Sequence, residues 1–108
     1  MTLSRNSAEQ LSWALTKLKS RFTGKSESWV RRCLKRLRDV EEIKAGTWRV
    51  KGRFELGDRY PNYLVKVVNG RYQCSCHDPH KPYSRFRRRS VCSHIGAVIL
   101  YRALRKLR

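Results

Sequence analysis

Residues 63–76 read YLVKVVNGRYQCSC, and residues 92–99 read CSHIGAVI. The first stretch is a hairpin in outline. Tyr63 to Val68 is apolar and β-branched, Asn69-Gly70 is a strong two-residue turn signal, and Tyr72 to Cys74 returns. The second stretch opens a helix, because Ile95, Ala97, Val98, Leu100, Tyr101, Leu104 and Leu107 gather on one apolar face. What joins the two is the spacing CxCx15CxH, formed by Cys74, Cys76, Cys92 and His94. Three sulfurs and one imidazole complete a tetrahedral zinc shell. At a strand end, residues i and i+2 point to the same side, so Cys74 and Cys76 can both face one ion. Cys92 and His94 fall where the helix begins, and the positive end of its dipole favours thiolates there, with Arg87, Arg88 and Arg89 close in sequence. These residues predict one structural zinc. His77 or His80 is the alternative to His94 as the nitrogen ligand, although His77 would point to the opposite strand face and His80 lies beside Pro79 in a loop.

Upstream, Trp48, Val50, Gly52 and Phe54 alternate with Arg49, Lys51, Arg53 and Glu55, the period of a half-buried strand, and Gly57-Asp58 and Pro61-Asn62 bracket a loop. Residues 7 to 44 read as two helices. Ser7 and Gln10 have the capping-box spacing, Ala8, Leu11, Leu15, Leu18 and Phe22 make one apolar face, and Thr23-Gly24 ends it. Ser26 or Ser28 caps the second helix, with Val30, Cys33, Leu34, Leu37 and Val40 as its buried stripe. Cys33 on that stripe reads as a small core residue rather than a fifth ligand. The expected fold is α+β and one compact unit. Residues 1–46 are a basic helical hairpin, and residues 47–108 are a small antiparallel three-stranded sheet and a C-terminal helix around the zinc.

The ligand pattern and its setting resemble the SWIM zinc finger, a family defined by CxCxnCxH with a strand pair leading into CxC and a helix opening at CxH. The resemblance covers about residues 47–104, and the helices before it belong to no family recognised here. It implies Cys74, Cys76, Cys92 and His94 as metal ligands. It also implies a module that binds nucleic acid or protein, in some members beside recombinases of the RecA family.

The chain carries 26 Lys and Arg against 8 Asp and Glu, a net charge of +18 over 108 residues. That excludes an ordinary cytosolic enzyme surface, while 40% hydrophobic content with 10% aromatics excludes a disordered basic tail. The charge is spread over the chain: +6 in residues 1–46, +4 in 47–73 and +8 in 74–108. A protein embedded in nucleic acid on several sides is basic in this way. The predicted contacts are Arg31, Arg32, Lys35, Arg36 and Arg38 on the second helix, Lys81, Arg85, Arg87, Arg88 and Arg89 between the ligand pairs, and Arg102, Arg105, Lys106 and Arg108 at the end. Tyr83 and Phe86 lie among the loop arginines and can stack on unpaired bases.

No GxSxG, P-loop, HExxH or paired carboxylate occurs, and Asp78 is the one carboxylate in the last 35 residues, so the zinc reads as structural and the protein as no enzyme. No segment has the length and apolarity of a membrane span or a signal peptide, which predicts a cytoplasmic location with neither membrane nor small-molecule partner. The expected function is a structural RNA-binding component of a ribonucleoprotein such as a ribosomal subunit, in contact with neighbouring proteins. The alternative is a DNA-binding accessory of recombination that partners a RecA-family recombinase. An apolar stripe exposed on residues 11–37 would favour that alternative, and a stripe buried against the sheet with arginines outward would favour RNA.

Overall fold

The computed structural model describes residues 3–76 and 91–106, with side chains from residue 8 onward. Three helices and a four-stranded antiparallel sheet make an α+β fold. In chain order these are α1 (Leu3–Arg21), α2 (Glu27–Arg36), β1 (Val40–Lys44), β2 (Thr47–Lys51), β3 (Asn62–Val68), β4 (Arg71–Cys74) and α3 (Ser93–Lys106). The strands form a meander in the order β1-β2-β3-β4. No described helix is long and apolar enough to cross a membrane.

Each local choice has a cause in the chain. Ser26 caps α2, its side chain accepting from the Trp29 N–H at 3.1 Å. Asn69 and Gly70 both take positive φ, 51° and 77°, which is the twist that a two-residue β3–β4 turn requires. Alternation then settles the inner face: Trp48, Val50, Tyr63, Val65 and Cys74 are buried, while Arg49, Lys51, Leu64, Lys66, Arg71 and Gln73 are exposed.

Helix α3 is the centre of the molecule. One side of it meets the sheet, where Ile95, Ala97 and Val98 join Val40, Trp48, Val50, Tyr63, Val65 and Cys74. The other side meets α1 and α2, where Leu100 joins Ala14, Leu18, Trp29, Val30 and Cys33. Gly96 is needed at this crossing, because a Cβ there would lie 2.3 Å from the Cys33 sulfur and 2.9 Å from the Trp29 ring.

Four expectations require correction. The sheet has four strands, not three: the second helix stops at Arg36, a 3-10 turn spans Leu37–Asp39, and Val40 begins an edge strand paired with β2. Val-Glu-Glu-Ile-Lys before Ala45-Gly46 is a strand and turn, so the boundary drawn at residue 46 falls inside one sheet. The first helix starts at Leu3, which leaves Ser7 inside it rather than capping it. Strand β2 ends at Lys51, and Phe54 is 86% exposed, because the chain turns away where Gly52 donates to the Pro61 carbonyl and the Arg53 N–H donates to Asp58.

Candidate metal centre

Cys74 closes β4, Cys76 lies in the turn after it, and Cys92 and His94 flank the first residue of α3. Their four donor atoms lie within 4.8 Å of one another, and none of the cysteines is in a disulfide. Metal–sulfur arms of about 2.3 Å span donor–donor edges of about 3.8 Å in a tetrahedron, so the group is nearly closed on a common centre. The four residues can hold one metal ion. His77 and His80 lie outside the described residues, and among the described residues His94 offers the nitrogen donor.

Two observations on donor chemistry test that fit. The Cys74 thiol is pushed strongly upward, first by hydrogen bonds with the sulfurs of Cys76 and Cys92 and then by burial, so its sulfur sits among the other two where a cation would favour the thiolate. The second is His94, which is 4% exposed. Its Nε2 lies 3.0 Å from Asp58 Oδ1, while Nδ1 is buried with no hydrogen-bond partner. With Nε2–H donating to the carboxylate, the neutral ring keeps its lone pair on Nδ1, the atom left over for a metal. The ring is also clamped by Tyr63, stacked at 4.1 Å between centroids and 24° between planes.

Asp58 is itself held from three sides. Arg36 Nη1 donates to Oδ2 at 2.5 Å and Nη2 to Oδ1 at 3.0 Å, and the Arg53 backbone N–H donates to Oδ2 at 2.7 Å. Burial works to raise this carboxyl, but these bonds outweigh it and keep Asp58 below the usual carboxylate range. Arg36 also donates from Nε to Ser93 Oγ at 2.9 Å, which ties α2 to the first residue of α3. A buried chain Arg36–Asp58–His94 thus fixes the ring orientation from outside the ligand set. Cys33 stays out of that set: burial, followed by the neighbouring Cys92, pushes its thiol up to about 12.

Sequence reasoning missed this support. Asp58 was legible only as a loop residue, and Tyr63 only as a strand residue. Arg36 was assigned to a nucleic-acid face, which the structure corrects, because its side chain is 2% exposed and committed to Asp58. One signal was available: Arg36 stands three residues after Cys33, on the apolar stripe rather than opposite it.

Of the other predicted contacts, Arg31, Arg32, Lys35, Arg38, Arg105 and Lys106 are exposed. Arg102 is half-buried, with its guanidinium 4.9 Å from the Trp48 ring and Nη1 donating to Tyr72 Oη at 2.8 Å. Lys81, Arg85, Arg87, Arg88, Arg89 and Arg108, with Tyr83 and Phe86, lie outside the described residues. No protein-family model, no curated protein and no solved structure matches the chain.

Proposed function

We propose that this chain is a zinc-stabilised, non-catalytic RNA-binding protein, a structural component of a ribonucleoprotein such as a ribosomal subunit, built on a SWIM-type ligand module. Zinc suits a three-thiolate, one-imidazole set, which fills all four tetrahedral positions from the protein and leaves none for a substrate. The metal's work is then to pin the end of β4 to the start of α3. One equivalent of zinc per chain in a chelator-free preparation is the expected assay result, and well under one equivalent would remove the metal from this reading.

The observation that carries RNA over a recombinase partner is the state of the apolar stripe. Ala14, Leu18, Trp29, Val30 and Cys33 are buried against α3 rather than against the sheet, while Arg31, Arg32 and Lys35 face outward. A helical pair kept for a protein partner would leave that stripe open. The test is sedimentation of native lysate on a sucrose gradient with and without RNase. Co-migration with a ribosomal subunit that survives moderately high salt and collapses with RNase is expected. A chain that stays at the top, or tracks with DNA after RNase, overturns the assignment.

A further inference from the structure

Helix α3 covers one face of the sheet, and on the other Arg49, Lys51, Leu64, Lys66, Val68 and Arg71 are exposed. That open face carries a line of cations. Lys51 and Arg49 are neighbours on β2, two residues apart. Thr47 is the register partner of Lys66, which places Lys66 on β3 diagonally beyond Arg49. Gln73 is the partner of Lys66 and Arg71 the partner of Val68, which places Arg71 on β4 one further diagonal step along. Each cross-strand step is about 7–8 Å. The four cations Lys51, Arg49, Lys66 and Arg71 therefore run as one oblique stripe across three strands.

The stripe ends in a cleft of about 430 Å³ lined by Arg38, Arg49 and Lys51 on one side of the charge balance and Asp39 and Glu41 on the other. Both carboxylates are occupied, Asp39 by Arg53 and Glu41 by Arg49. Arg38 and Lys51 remain as cations without an ion pair among the described residues. Beside the stripe, Leu64 and Val68 are each 40% exposed and give apolar ledges at the same level.

We infer that this open face is where RNA lies. The backbone of an unpaired strand follows Arg71, Lys66, Arg49 and Lys51, and a phosphate sits in the cleft between Lys51 and Arg38. The inference rests on the RNA-binding reading above and names its surface. Charge complementarity selects a polyanion. The apolar ledges select an unpaired strand over a duplex, because only unpaired bases can turn out of a stack onto Leu64 and Val68. Bases turned toward the sheet would meet Leu64 and Val68, and those turned away would remain in water.

The test compares two charge-matched triple variants of the zinc-loaded full chain. One is Lys51→Gln, Lys66→Gln and Arg71→Gln on the open face. The other is Arg31→Gln, Arg32→Gln and Lys35→Gln on α2. The probe is a fluorescein-labelled single-stranded RNA of about 15 nucleotides, long enough for one binding surface, titrated by anisotropy over a range of salt. Each phosphate contact with a single strand contributes about 0.7 to the log–log salt slope, so losing three contacts flattens the slope by about 2 and weakens binding about 100-fold at 0.1 M salt. The open-face variant is expected to show both changes in full and the α2 variant a markedly smaller loss. Amine acylation of the wild-type chain with and without RNA reads the same surface without mutation: Lys51 and Lys66 become more strongly protected than Lys35.

Equal losses in the two variants, or a loss confined to the α2 variant, would overturn the open face while leaving RNA binding intact. A wild-type chain that does not bind the RNA overturns both readings. Tighter binding of the DNA strand of the same sequence, lost with the same three residues, would give the face to DNA and overturn RNA as its occupant.

Discussion

Arg36 lies on the covered side of the sheet and Lys66 on its exposed face, and they answer to different physics. Arg36 is 2% exposed and spends its donors on Asp58 and Ser93. Lys66 stands in water, with Thr47 and Gln73 as its cross-strand neighbours. On the covered side, each basic group has a built partner: Asp58 for Arg36, and the Trp48 ring and Tyr72 hydroxyl for the half-buried Arg102. On the open side, solvent screens the cations, so they stand without buried partners, and of the four in the stripe Arg49 alone has an ion pair among the described residues, with the exposed Glu41. In a chain of net charge +18, burial and not residue type separates the basic groups that build the fold from those available to a polyanion.

The widest gap between the two sides should appear on removing the metal. A structural zinc contributes on the order of 10–16 kcal/mol in small zinc-binding peptides, comparable to the whole 5–15 kcal/mol stability of a domain. Chelation is therefore expected to abolish the cooperative melt of the sheet and α3, followed by circular dichroism and calorimetry with and without chelator. A melting temperature that chelation leaves unmoved would mean that packing around Ile95, Val98 and Val65 suffices without the ion.

Next in size is the buried pair. Arg36→Met leaves Asp58 uncompensated in the interior and should cost about 3–5 kcal/mol, whereas Lys66→Met should stay within about 0.5 kcal/mol. Urea unfolding of both zinc-saturated variants makes the comparison directly. The double variant Arg36→Met with Asp58→Asn should cost less than the sum of the singles, because the second change removes the stranded charge. Equal effects of Arg36→Met and Lys66→Met would erase the distinction between the two sides.

A smaller effect separates a packed glycine from an open one. Gly96→Ala drives a methyl group into the Cys33 sulfur and the Trp29 ring, and should destabilise by about 1–3 kcal/mol. Gly24 has nothing within 4 Å of a built Cβ, so Gly24→Ala should be neutral or slightly stabilising. Thermal melts of the two variants decide it. A harmless Gly96→Ala would show that the contact between α2 and α3 yields easily.

Local signals carried most of the fold. The Asn69-Gly70 turn, the alternation through Tyr63 to Val68, the Ser26 cap and the apolar face from Ile95 to Leu104 each depend on residues within one or two turns of each other, and each is found as the sequence implies. The ligand set was legible for a related reason, since each pair is local and only the fold need bring the pairs together. Strand β1 was lost because Leu37 and Val40 continue the helical period of Val30 and Cys33. A period does not show that the next partner is an edge of sheet. The support of the metal centre was lost for a deeper reason. Arg36, Asp58 and His94 are 22 and 36 residues apart, and nothing local to any of them specifies the other two.

The smallest expected effect concerns Asp39, which lies at the seam between the two sides and has only 6% of its side chain exposed. Arg53 donates to it from Nε at 2.9 Å and from Nη2 at 2.7 Å, and these bonds, opposed by burial and aided by the fields of Arg53, Arg38 and Lys51, hold the carboxyl below its ordinary value. A carboxyl depressed in the folded state adds stability above its unfolded pKa, near 3.9, and loses it as the pH falls through the lower folded value. The stability difference between the wild-type chain and Asp39→Asn should therefore be constant from about pH 5 to pH 8, and should narrow only below about pH 4. Paired urea titrations across that range measure it. A difference that instead changes between pH 5 and pH 8 would mean that a group other than Asp39 couples to Arg53, and would move the seam away from this pair.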